Sequence, residues 1–222
     1  MVRLDRTEQR LVGVLIEKQR TVPDTYPLSE NALLDGCNQK NNRDPITELV
    51  AFQVSGALMA LQEKGVVAKV DGGGRVPKFR HKLDEALPAT ADELAVLAEL
   101  LLRGPQAPGA LKPRVARMGY HAAAEQIDDL LRRMAARKPA LVELLPLAPR
   151  ERDRRWRHLP GDGSELATER ASAVPVGEGT SPVPARAEPE PPSLADRVVR
   201  LEQQVAALQD EVARLRAASP GR

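Results

Sequence analysis

One order of segments occurs twice in the first 160 residues, and it constrains the fold more than any other feature. In each half, three amphipathic helical segments are followed by two short strand segments. The strands of the first half, "VVAKV" and "RVPKF", flank the glycine turn "DGGG", which is a strong hairpin signal. An all-helical bundle with loops fits these strand patterns poorly. The order therefore predicts two winged-helix domains in tandem, mainly α with small β-wings.

Local capping signals mark where the first helix of each half begins. Asp5 with Glu8, and Thr90 with Glu93, have the spacing of capping boxes. In such a pair each side chain accepts a hydrogen bond from the other residue's backbone N–H, so the first turn is satisfied locally. These signals support a first winged-helix domain over residues 1–87 and a second over residues 88–160.

The composition changes after Pro160. From Pro160 to Pro192 the chain contains seven prolines and four glycines with almost no large apolar residue. Such a segment cannot bury enough surface to offset the entropy of ordering it, so we predict a flexible linker over 161–192. A coiled-coil helix is predicted over 193–218.

The evidence for the coiled coil is a heptad seam with valine at every a position and leucine at every d position. This pattern favours a two-stranded parallel coil, and hence a homodimer. The alternative is a lone amphipathic helix packed on the body of the protein. The seam residues are Leu194, Val198, Leu201, Val205, Leu208, Val212 and Leu215.

Composition argues against a disulfide-bonded or membrane-spanning protein and indicates what the core is made of. Aromatic residues make up only 2% of the chain, so the core is built mainly from Leu, Val, Ile and Ala. Cys37 is the single cysteine, which excludes an intrachain disulfide. With no apolar run of membrane-spanning length and no signal-type N-terminus, we expect a soluble cytoplasmic protein without membrane contact. Residues 1–160 have a net charge of +5, which is weak evidence for an acidic partner.

The third helix of each half is the element that enters DNA in an ordinary helix-turn-helix protein. In the first half this segment is uncharged before Glu63, and Phe52 and Met59 fall outside its core stripe. An exposed apolar stripe suits packing against protein better than groove recognition. In the second half the outer face begins with acidic residues, which would approach phosphates with the wrong sign. Both helices therefore argue against orthodox DNA reading.

The basic residues instead cluster on the predicted second strand of each wing, where they could grip a phosphate backbone without reading sequence. The alternative is a solvated, salt-bridged edge ribbon that resists strand-to-strand aggregation. In the second cluster, alternation predicts that Arg150, Arg152 and Arg154 share one side of a strand. The candidate contact residues of the two wings are Arg75, Lys78, Arg80, Lys82, Arg150, Arg152, Arg154, Arg155, Trp156 and Arg157.

A third candidate contact region is "CNQKNNRDP", residues 37–45, which joins the predicted second helix, "SENALLDGCNQK", to the third. Asp44 is expected to cap a following helical turn, with Pro45 at its first position. Asn41 or Asn42 suits a left-handed backbone conformation. These roles leave Gln39, Lys40 and Arg43 to explain. Either they bond across the turn to hold it in place, or they contact a phosphate or a partner protein.

The chain also resembles a known family. The run "YPLSENAL…CNQKNNRDP" and the later "LLRGPQAPGAL" are similar, in the same order, to the YceH-like family of uncharacterised bacterial proteins. The resemblance covers roughly residues 4–160. It implies a tandem winged-helix fold and no specific biochemical activity.

No catalytic set is evident in the sequence. Its three histidines, His81, His121 and His158, belong to no metal or nucleotide motif, and Cys37 fits a buried core thiol. We therefore expect neither an enzyme nor a bound cofactor or metal. Two functions remain: a DNA-associated or regulatory role through the basic wings and the 39–43 turn, or a protein–protein adaptor that uses its winged helices for docking.

Overall fold

The computed structural model describes residues 2–70, 76–147 and 151–161, which all belong to one compact unit. These ranges contain four α-helices in the first half and three in the second. The predicted linker beyond Gly161 and the predicted coiled coil lie outside them.

The first half contains four α-helices and a small antiparallel sheet. Strand β3 lies in the centre of this sheet, and its Phe79 pairs with Leu28 on one side and Lys69 on the other. The sheet order is therefore β1-β3-β2. The elements are α1 (Arg6–Thr21), a short 3-10 helix (Pro23–Thr25), β1 (Leu28–Ser29), α2 (Glu30–Cys37), α3 (Ala51–Glu63), β2 (Val67–Val70), β3 (Lys78–His81) and α4 (Leu83–Ala86).

The second half repeats three helices and a strand pair. Val142 pairs with His158 in an antiparallel ladder, and Gln106 forms an isolated bridge with Trp156. This bridge extends the strand pair toward the helices. The elements are α5 (Ala91–Arg103), α6 (Pro108–Arg117), α7 (Ala124–Ala136), β4 (Val142–Leu144) and β5 (Trp156–His158).

The core is centred on α1 and α5, the first helix of each half. Every residue of α1 from Glu8 to Glu17, and every residue of α5 from Glu93 to Leu102, is buried. The two helices approach so closely that a Cβ added to Gly13 would lie 2.8 Å from Cγ of Leu102. Gly13 therefore permits an approach that any larger residue would oppose.

Backbone hydrogen bonds add to this contact between the halves. The N–H of Leu4 donates to the carbonyl of Pro160 at 2.8 Å, and the N–H of Asp44 donates to the carbonyl of Leu102 at 3.0 Å. The halves consequently share a buried interface rather than meeting at a hydrated seam.

The structure confirms a mainly helical chain with small antiparallel sheets. It also confirms the capping boxes of Asp5 with Glu8 and of Thr90 with Glu93. Within the described ranges, no helix has the length and apolar character needed to cross a membrane.

Three local predictions need correction. No helical turn follows Asp44 and Pro45, because α3 begins only at Ala51. The second helix ends at Cys37, so the polar residues that follow form a loop. The last strand is restricted to Trp156–His158, so Arg152 and Arg154 precede it and do not alternate along it.

Candidate interaction surfaces

The 37–45 turn is organised around a buried arginine. The guanidinium of Arg43 donates to the carboxylate of Glu17 on α1, with Nη2 2.6 Å from Oε2. It also donates to Oε1 of Gln39 at 3.0 Å, to the carbonyl of Gly36 at 3.0 Å and to the carbonyl of Asn42 at 2.8 Å. The side chain of Arg43 is 0% exposed, so its charge is compensated within the protein.

The sequence left two roles open for Gln39 and Arg43: bonding across the turn, or contacting a phosphate or a partner protein. Both side chains bond across the turn, as the architectural interpretation predicts. In this conformation the guanidinium of Arg43 is enclosed and does not face a partner. Lys40 and Asn41 are exposed at the tip of the same turn.

The backbone of the turn is fixed by further polar contacts. Asn42 has a φ of 60°, which confirms the expected left-handed residue, and its Oδ1 accepts from Arg103 of α5 at 3.3 Å. The side-chain amide of Asn38 makes two hydrogen bonds with the backbone of Leu49. Its Nδ2 donates to the carbonyl of Leu49, and its Oδ1 accepts a hydrogen bond from the N–H of Leu49, both at 2.8 Å. The segment that leads into α3 is thereby held against α2 and the second half.

Sequence reasoning missed Glu17 and Asn38, the residues that complete this network. A signal for Glu17 exists in the sequence, because it directly follows the apolar run from Leu11 to Ile16 on one helix. A carboxylate beside such a run has to be paired if it is buried. Asn38 has no comparable signal, since its partner is the backbone of Leu49.

The basic residues of the β2–β3 pair are partly neutralised by one carboxylate. Glu85 lies 3.3 Å from Nη1 of Arg80 and 2.7 Å from Nζ of Lys82. Both pairs connect basic residues at the end of β3 to α4, and they are not at a sheet edge because β3 is the central strand. Lys78 is exposed on the same strand, and Arg75 lies outside the described residues.

The basic cluster at β5 divides into internal and exposed side chains. Trp156 is buried, and its indole Nε1 donates to Oδ1 of Asp128 on α7 at 2.9 Å. Arg157 pairs with Glu143 on β4, and Arg155 pairs with Glu151 at 3.0 Å. Trp156 is therefore a core residue in this structure, not a surface aromatic that interleaves with the arginines.

Arg152 and Arg154 are the exposed cations of the described part of this cluster, while Arg150 lies outside that part. Among the described candidate contact residues, the exposed basic side chains are therefore Lys40, Lys78, Arg152 and Arg154. The structure distributes these four residues over three separate segments.

The outer face of α3 is the most apolar exposed surface among the described helices. Phe52 is 76% exposed and Met59 is 64% exposed, which confirms the stripe expected from the sequence. Gly56 lies between them, and a Cβ added there would meet nothing within 4 Å. We call Phe52, Gly56 and Met59 the α3 face. The helix has no charged residue from Ala51 to Gln62.

The buried titratable groups are shielded from solvent. Burial raises the pKa of the Cys37 thiol to about 12 and lowers the pKa of His158 to about 4. Burial also lowers the pKa of His81, despite the nearby Asp84 carboxylate. The Cys37 thiol is a poor nucleophile near neutral pH, because almost none of it is thiolate. Across the described residues, no group of three or more His, Cys, Asp or Glu side chains is arranged to hold a metal ion.

Comparison with known proteins places these features in a family. The family model described as "Protein of unknown function, DUF480" matches residues 4–151. This chain belongs to the DUF480 family, for which YceH-like is another name. The resemblance expected from the sequence motifs is thus confirmed.

Curated members of the DUF480 family match most of the chain. A UPF0502 protein of Geotalea daltonii is 46% identical over 170 residues, covering 77% of this chain and 78% of the relative. UPF0502 protein GSU0233 of Geobacter sulfurreducens is 42% identical over 174 residues, covering 78% and 80%. A UPF0502 protein of Pelobacter propionicus is 40% identical over 213 residues, covering 96% and 93%, so its similarity extends beyond residue 161. These names assign no enzymatic activity.

Proposed function

We propose that this DUF480 member is a non-catalytic protein-interaction module whose docking surface is the α3 face. The observation behind the proposal is the exposure of Phe52 and Met59 on a helix with no charged residue from Ala51 to Gln62. An exposed aromatic and an exposed methionine are costly in water and are enriched where proteins meet.

The fold hypothesis that accompanies this function is a tandem winged helix. Its support is the order of three helices and a strand pair in each half, together with the short strand β1 that joins the first sheet. In this hypothesis α3 is the third helix of the first module, so the element that reads DNA in other helix-turn-helix proteins serves as a docking helix here.

The proposal is tested by photo-crosslinking from the α3 face in the host cell. A p-benzoylphenylalanine residue at position 52 replaces one aromatic side chain by another and forms a covalent adduct with whatever lies against it. We expect a discrete protein adduct. Matched controls carry the same probe at Val76 and at Leu147, which are exposed apolar residues outside α3. No adduct at position 52, or equal adducts at all three positions, contradicts the proposal.

DNA association is the second candidate, and a different observation favours it. Lys40, Lys78, Arg152 and Arg154 are exposed and belong to the segments expected to contact phosphates. A protein that neutralises phosphates loses affinity steeply as salt rises, because bound counterions are released on association. Titrating random duplex DNA at rising salt tests this candidate. Absence of binding at the lowest salt concentration eliminates it.

A further inference from the structure

We infer that the occupant of the α3 face is a second copy of this chain, packed so that the two α3 helices run antiparallel about a two-fold axis at Gly56. The inference rests on the proposed function, since it names the partner of the same docking surface. Three observations support it.

The first observation is the unexplained glycine in the middle of α3. Glycine within an exposed helix costs roughly 0.5–1 kcal/mol relative to alanine. Gly56 has no positive φ, and a Cβ there would meet open space, so neither the backbone nor the internal packing of the chain requires it. A glycine without an internal reason is explained if another surface approaches the helix backbone at that point.

The second observation is that the α3 face is complementary to itself. Residues four apart lie on one side of a helix, so Phe52 projects beside Gly56 and the half-buried Ala60 follows on the same side. In an antiparallel pair centred on Gly56, each Phe52 lies over the shallow surface that Gly56 and Ala60 of the other copy provide. One patch therefore supplies both the projection and the recess, which is the requirement for a two-fold, isologous contact.

The third observation concerns charge. Because α3 has no charged residue between Ala51 and Gln62, two copies can meet there without like-charge repulsion. Helix α7 shows the contrast, since its outer face presents Glu125, Asp129 and Arg133 to solvent. A two-fold contact centred on Asp129 of α7 would bring the two Asp129 carboxylates together, which is unfavourable.

The area that two α3 faces can bury is too small for a stable dimer, so the contact needs another connection between the two copies. A buried aromatic contributes about 150–250 Å², so two phenylalanines and their surroundings bury on the order of 500 Å². Stable interfaces bury about 1,200 Å² or more. The coiled coil predicted from the sequence over 193–218 would supply the tether, because linked contacts act at effective concentrations in the millimolar range.

Disulfide trapping in the full chain tests the inference. A two-fold axis at Gly56 places the two copies of that residue together, so Gly56→Cys should form a disulfide-linked dimer on mild oxidation. Cys37 is buried and its pKa is raised to about 12, so the introduced thiol is the reactive one. Gly109→Cys is the matched control, because Gly109 is also an exposed helical glycine with nothing within 4 Å of its Cβ position.

We expect Gly56→Cys to cross-link at least tenfold faster than Gly109→Cys, and Phe52→Ser in the Gly56→Cys background to return the rate to the control value. Circular dichroism establishes that each variant is folded. Equal rates for the two cysteine variants, or no dimer from Gly56→Cys, overturn the inference.

The photo-adduct at position 52 separates this inference from the proposed function. An adduct with the mass of two copies of this chain supports both. An adduct with a different protein keeps the proposed function and overturns the inference. The absence of any adduct overturns both.

Discussion

Helices α3 and α7 are each the third long helix of their half, yet they present opposite surfaces. α7 is bound to its surroundings by polar contacts: Asp128 receives the indole N–H of Trp156 and pairs with Arg132. α3 presents Phe52 and Met59 to solvent, and it is held by its buried face, by the turn that precedes it and by a hydrogen bond from Ser55 to Glu30 of α2. The same order of elements therefore has a charged outer face on α7 and an apolar outer face on α3.

The largest expected change in unfolding free energy comes from removing Arg43, which holds the turn that precedes α3. Arg43→Ala leaves the Glu17 carboxylate buried without its partner, and breaking a buried pair in this way costs about 3–5 kcal/mol. Arg132→Ala removes the pair with Asp128 on α7, where the arginine side chain is 63% exposed, and should cost about 1 kcal/mol or less. Urea unfolding of both variants measures the difference.

Lys40→Ala is the control for Arg43→Ala, because Lys40 is exposed in the same turn. We expect its stability to stay within about 0.5 kcal/mol of the unmodified chain. If Arg43→Ala is equally mild, the turn is not an architectural element and the contrast between the halves fails.

Acid should act on the second half through His158. Its folded-state pKa of about 4 lies below the ordinary value of 6.5, so the unfolded chain binds the proton more readily. Stability is therefore fully present above about pH 6.5 and is lost as the pH falls toward 4. The loss is on the order of 3 kcal/mol, at about 1.4 kcal/mol per pKa unit.

The measurement is the unfolding free energy from pH 7 to pH 4 for the unmodified chain and for His158→Gln. The variant should lose less stability over this range because position 158 no longer titrates. His121→Gln, at an exposed position, serves as the control and should keep the original pH profile. Identical profiles for the chain and His158→Gln would show that His158 does not contribute the acid sensitivity.

The contact between the halves is tested by Gly13→Ala. The added methyl would overlap Leu102 on α5, and overpacking of this kind costs about 1–3 kcal/mol. Thermal unfolding should show a single transition at a lower temperature. An unchanged midpoint would mean that α1 and α5 are not as closely packed as the structure places them.

The smallest expected effect has the opposite sign. Gly56→Ala should stabilise the monomer by about 0.5–1 kcal/mol, because alanine favours the helix and its methyl meets nothing. The same methyl should weaken a contact centred on Gly56. Unfolding at low protein concentration and sedimentation at high concentration measure the two effects separately. A more stable dimer in this variant would place the axis of association elsewhere.

The sequence anticipated the features that depend on short-range chemistry. The two capping boxes, the left-handed Asn42 and the antiparallel pairing of β2 with β3 follow from residues that are close in the chain. The exposure of Phe52 and Met59 also followed from helical periodicity, since both residues fall outside the apolar stripe that packs inward.

The roles of individual polar and aromatic residues were less predictable. The sequence places Trp156 in a basic cluster predicted to lie at the surface, but the side chain is buried and its partner Asp128 is 28 residues away. Asp44 appeared to be a helix cap, but its backbone N–H donates to Leu102 in the other half. A strand or cap pattern describes neighbours along the chain and contains no information about such partners.

The order of the elements, their caps, the apolar stripes that pack inward and membership of the DUF480 family follow from the sequence, because each depends on local spacing or on motifs in the chain. Which charges are internal depends on the packing of distant parts of the chain. Arg43 and Glu17 are 26 positions apart, and their burial depends on how α1 meets the turn after α2. Burial of a charge is stable only when a distant partner completes its hydrogen bonds, and that condition is a property of packing rather than of local sequence.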